Sequence, residues 1–125
     1  MKQEVIAGFL EAIPQPAVLV DQTERFIGAN KAGLDLLGNQ IIGRHFATIL
    51  RQPSVSGAIE KCLEDRGNEL ARYLSNDGAQ DTTYEVTLRY VPGVGAVEGG
   101  AVLLCFSDIS EREQASQMRR DFVAN

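Results

Sequence analysis

An α+β domain built on a five-stranded antiparallel sheet is what the residue pattern predicts, and three observations carry that prediction. From Glu69 onward the apolar residues alternate: Tyr84, Val86, Leu88 and Tyr90 stand opposite Thr83, Glu85, Thr87 and Arg89, the period of strands. Near the start, two short apolar runs, Ala17–Val20 and Arg25–Ala29, flank the polar Asp21-Gln22-Thr23-Glu24, the pattern of a hairpin. Between these β regions, residues 30–66 follow helical spacing in brief pieces broken by Gly38, Gly43 and Pro53. The order is therefore helix, two strands, several short helices, three strands, helix.

Each element has its own residue signals. Over Met1–Ile13, Val5, Ile6, Phe9, Leu10 and Ile13 fall on one helical stripe, and Pro14 and Pro16 stop the helix because proline breaks the hydrogen-bond ladder. Asn30 is a good N-cap for Lys31–Leu37, and Gly38 ends that helix as a residue free to take positive φ. Ile41-Ile42-Gly43-Arg44 is an apolar turn, and His45–Leu50 is expected as one or two helical turns. Pro53 sits where a longer helix begins, with Val55, Ile59, Cys62 and Leu63 as its buried stripe and Gly67 as its end. Strands from Glu69 and from Thr82 to Val91 are joined by a turn at Asn76-Asp77-Gly78. Pro92–Gly100, with four glycines, is a long hairpin tip, and Ala101–Ser107, the most apolar strand, belongs at the centre of the sheet. That strand runs directly into a polar, helix-favouring tail. Ser110 with Glu113, or Asp108 with Glu111, has the spacing of a capping box. Ala115, Met118 and Phe122 then give the tail only a thin apolar seam, suited to pairing with a copy of itself.

Composition excludes several classes. The 125 residues suit one domain, with 44% hydrophobic and 23% charged residues. A net charge of −5 is wrong for a nucleic-acid surface, which needs a basic patch. No apolar run approaches the roughly 18 residues of a membrane span, and there is no secretory start. Cys62 and Cys105 lie far apart, match no metal or redox spacing, and read as free thiols in a reducing cytoplasm. Ser107, Ser110 and His45 lack the surroundings of a catalytic triad. The glycines of the hairpin tip are not followed by a helix start and form no phosphate cradle.

The element order resembles the PAS sensory fold, and local motifs support the likeness along nearly the whole chain. Ala17-Val18-Leu19-Val20-Asp21 and Phe26-Ile27-Gly28-Ala29-Asn30 resemble that family's opening hairpin with its capping asparagine. Leu36-Leu37-Gly38 followed by Ile42-Gly43-Arg44 resembles its helix connection. Asp108-Ile109-Ser110-Glu111-Arg112 resembles its Asp-Ile-Thr-Glu-Arg ending, with serine for threonine. Met118–Asn125 looks like the lead-in to the dimerisation and phosphoacceptor helix of bacterial sensor histidine kinases. Together with Arg51-Gln52-Pro53-Ser54-Val55 it is similar to the phosphate-regulon kinases.

That resemblance implies an organisation and a role. Residues 1–13 form an incoming helix, 14–109 the PAS domain, and 110–125 the start of a signalling helix leading to a kinase core beyond this chain. Asp108, Ser110, Glu111 and Arg112 would relay the signal, and Phe9, Ile13, Ala115, Met118 and Phe122 would form the seam of a homodimer. The fold can enclose an apolar pocket. Leu36, Ile42, Phe46, Ile49, Val55, Ile59 and Leu63 are candidates for its helical wall. Tyr73, Tyr84, Leu88 and Leu104 are candidates for its sheet wall, and His45 is a polar group able to orient a ligand. The alternative is that these residues pack as core, leaving a ligand-free dimerisation and protein-interaction module. No haem is expected, because the long helix carries no histidine. No flavin adduct is expected, because no cysteine follows Gly43-Arg44 closely. The expected fragment is non-enzymatic and cytoplasmic, and meets a membrane only through its parent protein. Its expected partners are its own copy, the kinase core of the same polypeptide, and a small-molecule ligand or regulatory protein, with no nucleic acid.

Overall fold

The alternating segments pair into a sheet whose order is set by which strand is most apolar. A computed structural model describes residues 3–77, 80–94, 99–110 and 112. Along them run α1 (Gln3–Glu11), β1 (Ala17–Asp21), β2 (Phe26–Ala29), α2 (Lys31–Leu37), a 3-10 turn (Phe46–Thr48), α3 (Pro53–Asp65), β3 (Asn68–Asp77), β4 (Gln80–Pro92) and β5 (Gly100–Asp108). The sheet order is β2-β1-β5-β4-β3, with every pairing antiparallel. The most apolar strand, β5, is central as expected. Among the described residues no helix is long and apolar enough to cross a membrane.

Alternation sends each strand's side chains to two unlike faces. On the inner face Val18, Val20, Phe26, Val86, Leu88, Val102, Leu104 and Phe106 form one buried cluster. Ile41, Phe46, Leu50, Val55, Ile59, Cys62 and Leu63 from the helical segment complete it. On the outer face Leu10 of α1 is buried with Ala17, Leu19, Val94 and Ala101. The sheet is thus covered by α2, the 3-10 turn and α3 on one side and partly by α1 on the other.

Two boundaries differ from the sequence expectation. Strands β3 and β4 run to Asp77 and from Gln80, pairing Asn76 with Asp81 and Asp77 with Gln80. A cross-strand bond from Asn76 Nδ2 to Asp81 Oδ1 at 2.8 Å extends the ladder into the residues expected as turn. At the end of α3 it is Arg66, not Gly67, that takes the left-handed conformation (φ 55°, ψ 39°), its N–H bonding to the Cys62 carbonyl. The Arg66 guanidinium lies 5.8 Å from the centroid of the Tyr90 ring, a contact that helps offset the strain of a non-glycine residue there.

Part of each sheet edge is covered by side chains or loops, which hinders strand-to-strand pairing there. On β3, Gln52 donates from Nε2 to the Leu74 carbonyl (2.7 Å) and accepts from the Leu74 N–H (2.9 Å). Ser54 Oγ donates to the Arg72 carbonyl at 2.9 Å. On β2, Phe26 N–H donates to the Arg44 carbonyl and Gly43 N–H to that of Phe26.

Candidate functional site

Asn30 does far more than cap a helix. It is 2% exposed, and its Oδ1 accepts from Gly33 N–H (2.7 Å), the α2 cap, and from Ala17 N–H (3.0 Å), the start of β1. Its Nδ2 faces the carbonyls of Leu10 (3.1 Å), Ile13 (3.0 Å) and Gln15 (2.8 Å). One amide therefore ties the C-terminal end of α1, the linker after it, β1 and α2 together. Glu11 adds a second tie, accepting from Lys31 N–H at 2.7 Å. One residue past Gln15 on the same linker, Pro16 accepts from the N–H of Phe106 at 2.9 Å. The incoming linker is thus bonded directly to β5, two residues before that strand ends.

At that end the outgoing chain is clipped to β4. Asp108 Oδ1 accepts from Ser110 N–H at 2.9 Å, so of the two candidate caps it is Asp108 that binds the helix start. Ser110 Oγ instead accepts from Thr83 N–H at 2.9 Å, and Ile109 N–H donates to the Thr83 carbonyl at 2.9 Å. Ile109 is buried between them. Arg112 lies 3.6 Å from Glu85 across exposed surface, a pair of little energetic weight. Glu111, Ala115, Met118 and Phe122 lie outside the described residues.

The candidate pocket residues separate into three groups. Phe46, Val55, Ile59, Leu63, Leu88 and Leu104 are buried together in the inner cluster, with Leu36, Ile49, Tyr73 and Tyr84 partly buried against it. Tyr73 and Tyr84 both meet the Phe106 ring edge-on, with centroids at 5.6 and 6.2 Å. This aromatic trio brings the sheet wall to within two residues of Asp108. Ile42, expected on the helical wall, is instead 49% exposed, and its neighbour Ile41 is buried. The cause is local: Gly43 at φ 86° bonds to Phe26, and Arg44 N–H to the Ile41 carbonyl, which turns Ile41 inward.

His45 caps the 3-10 turn. Its Nδ1 accepts from Ala47 N–H at 3.0 Å, which leaves Nε2 as the donor to Glu24 at 2.7 Å. Both ring nitrogens are engaged along the edge of β2, and the neutral tautomer carries its proton on Nε2. Burial holds the Tyr73 hydroxyl above its ordinary titration range. Burial likewise raises Cys62, with the charges of Glu69 and Asp65 adding to the effect. Cys105 is raised by burial against a smaller opposing hydrogen bond with Thr87. Neither thiol is poised as a thiolate.

The candidate dimer residues of α1 part company. Ile13 packs on the chain's own outer sheet face, while Phe9 is 64% exposed. Beside α1 lies an apolar hollow of about 190 Å³, open to solvent and lined by Ile6, Phe9, Leu10, Ile13, Leu19, Val91, Val94 and Leu103. A more polar groove near the sheet end is lined by Pro16, Asp35, Leu36, Ser75, Thr82 and Tyr84, among others.

Sequence reasoning missed the inward arm of Asn30, the Thr83 clip and the Pro16–Phe106 bond. Capping asparagines have a recognisable spacing, but the three carbonyls that Asn30 also meets, one at the end of α1 and two in the linker after it, carry no motif.

A family model described as the PAS fold matches residues 10–114. No curated protein matches the chain in sequence. Among solved structures, the PAS domain of Bordetella pertussis BvgS shares 14% identity and a TM-score of 0.61, covering 98% of this chain and 97% of that one. A Rhodobacter sphaeroides LOV protein shares 18% identity and a TM-score of 0.67 over 88% and 69%. The photoactive yellow protein domain from the sensor histidine kinase Ppr of Rhodospirillum centenum shares 15% identity and a TM-score of 0.61 over 81% and 91%. At these identities the likeness is one of fold.

Proposed function

Because this chain belongs to the PAS fold family, we propose that it is the sensory and regulatory domain of a bacterial two-component sensor histidine kinase, working as a cytoplasmic homodimer. Within that class the phosphate-regulon kinases are the preferred subfamily, on the Arg51–Val55 and Met118–Asn125 segments. The fragment binds and relays; phosphotransfer belongs to the kinase core of the parent polypeptide. Neither haem nor flavin is part of this reading.

The observation that carries it is the meeting of input and output at one sheet end. Pro16 is bonded to Phe106, and Asp108 and Ser110 hold the outgoing chain to itself and to Thr83. A displacement of the linker or of the aromatic trio is passed to these bonds through Pro16 and Phe106. In this reading a ligand, a partner protein or an upstream helix movement biases two arrangements of the junction. The helix beginning at Ser110 then shifts between two dimer packings, setting kinase against phosphatase output. Coupling of this kind needs only about 1–3 kcal/mol.

In the full-length kinase, Asp108→Ala should leave the domain folded and remove the signal dependence of autophosphorylation. Loss of folding instead makes Asp108 structural and removes it from the relay. The residues encoded after Asn125 give an independent check, since the kinase reading requires a phosphoacceptor histidine motif close behind.

A second reading, a ligand-free dimerisation and interaction module, is favoured by one observation. Among the described residues no buried side-chain nitrogen or oxygen lacks a partner, so the inner cluster presents no unsatisfied polar group to a ligand. Extraction of small molecules from the purified protein, with a thermal-shift panel, separates the two readings.

A further inference from the structure

His45 is the chain's single histidine, and its two ring bonds make different demands on it. Nδ1 accepts from the Ala47 N–H at 3.0 Å, the bond that caps the 3-10 turn. Nε2 donates to Glu24 Oε2 at 2.7 Å. Only a neutral imidazole can accept at Nδ1, whereas a protonated one donates from both nitrogens. Protonation therefore turns the Nδ1 acceptor into a donor facing another donor. The Glu24 contact survives the same change and becomes an ion pair.

We infer that His45 is a proton-operated latch: its neutral ring caps the 3-10 turn, and its protonated ring releases Ala47 while staying on Glu24. Imidazoles change charge between about pH 5 and 8, and the His45 side chain is 37% exposed, so protons reach it from solvent. Charges of both signs surround it. Glu24 lies in the turn between β1 and β2, and Glu60 and Glu64 of α3 border the same groove as Glu24. Arg25, bridged to His45 through the backbone, sends its guanidinium to the Gly43 carbonyl, and Arg44 precedes His45 in the chain. Of these groups it is Glu24 that bonds the ring.

The latch acts on a core residue. Phe46 stands between His45 and Ala47, is 1% exposed, and belongs to the inner cluster with Leu104 and Phe106. Its ring stacks on that of His45 with centroids 4.8 Å apart. The Phe46 N–H bonds to the Glu24 carbonyl at 2.9 Å, and Glu24 itself is held at φ 65°, uncommon outside glycine. The entrance to the turn is thus fixed by backbone, while the next residue along is fixed by a side chain that a proton can disable. Losing the cap loosens the turn from Ala47 onward and makes the seating of Phe46 depend on a proton at the surface. This property belongs to the chain itself and stands independently of the kinase reading.

The test is a nuclear magnetic resonance titration of the isotope-labelled chain from pH 8 to 5, following the His45 ring nitrogens and the backbone amides. The expected result is a neutral ring protonated on Nε2 and a step in the Ala47 amide shift with the same midpoint as the ring. The hydrogen-exchange protection of Ala47 should fall by about tenfold across that step, with the Phe46 ring resonances following. His45→Asn keeps a capping oxygen but cannot titrate, so Ala47 should stay protected at every pH. Glu24→Gln keeps an acceptor for Nε2 without its charge, and the step at Ala47 should persist. The unsubstituted chain alone decides the matter should a variant fold poorly. Protection of Ala47 that is constant through the His45 titration overturns the inference, and so does a neutral ring protonated on Nδ1. The same step in His45→Asn, or its loss in Glu24→Gln, overturns it as well, because the change would then belong to the carboxylate.

Discussion

Asn30 is the residue on which the most backbone depends, because a buried amide with two acceptor directions and two donor hydrogens meets five main-chain groups. Asn30→Ala should lower stability by about 2–4 kcal/mol in urea unfolding, since it removes a cap and leaves buried groups unpaired. Asn30→Asp keeps the oxygen that Ala17 and Gly33 need but turns a carboxylate toward three carbonyls. Its deficit against the native chain should therefore shrink as pH falls and a protonated carboxyl regains a donor; a deficit constant with pH would mean the donor side is idle. The thiols give a second test at this scale. Burial raises Cys62 above the ordinary value of 9.0, so on raising the pH the unfolded chain loses that proton first. Stability is thus complete below about pH 9 and declines as pH climbs through the folded value. Cys62→Ala should flatten the decline of the urea midpoint as the pH rises above 9.0.

At the level of elements, α1 is seated by one close approach. A Cβ on Gly28 of β2 would come 2.9 Å from Leu10 Cδ1, so the absent side chain is what lets the helix reach the sheet. Gly28→Val should lift α1 and cost about 1–3 kcal/mol as an overpacking change. Faster hydrogen exchange in residues 3–11 with little change in β4 would locate the effect. The edges show the same economy: Gln52 imitates a strand neighbour for Leu74, bonding both its N–H and its carbonyl.

For the whole molecule, the proposed homodimer places Phe9 and Phe122 at its seam. Phe9→Asp should leave folding within about 0.5 kcal/mol, as expected for an exposed site, and shift sedimentation toward monomer. Phe122→Asp should likewise shift sedimentation toward monomer, and unchanged sedimentation of both would remove the seam from the proposed assembly. The helices α2 and α3 cover the inner face and a single helix the outer one, which leaves Leu70 and Leu74 exposed on β3, beyond the reach of α1.

Much of this architecture is legible in the linear chain because it rests on local physics. Alternation in β4 and β5, the Asn30 cap, the positive-φ stop at Gly38 and proline at the start of α3 each depend on residues a few positions apart. The apolar character of Ala101–Ser107 sufficed to place β5 at the centre of the sheet. Two expectations failed, Ile42 on the inner wall where Ile41 turns inward and Gly67 as the helix end where Arg66 takes the left-handed position, and one choice was left open, Asp108 or Ser110 as the cap. Those are settled by partners far along the chain, namely Phe26, Tyr90 and Thr83. The sequence by itself determined which segments are helix and strand and which side of each is apolar. Only the tertiary structure decided that Asn30 would join four segments, that Pro16 would bond to the end of β5, and that α1 would leave an open apolar hollow beside the outer sheet face. Backbone carbonyls carry no sequence signature, and a hollow belongs to no single residue.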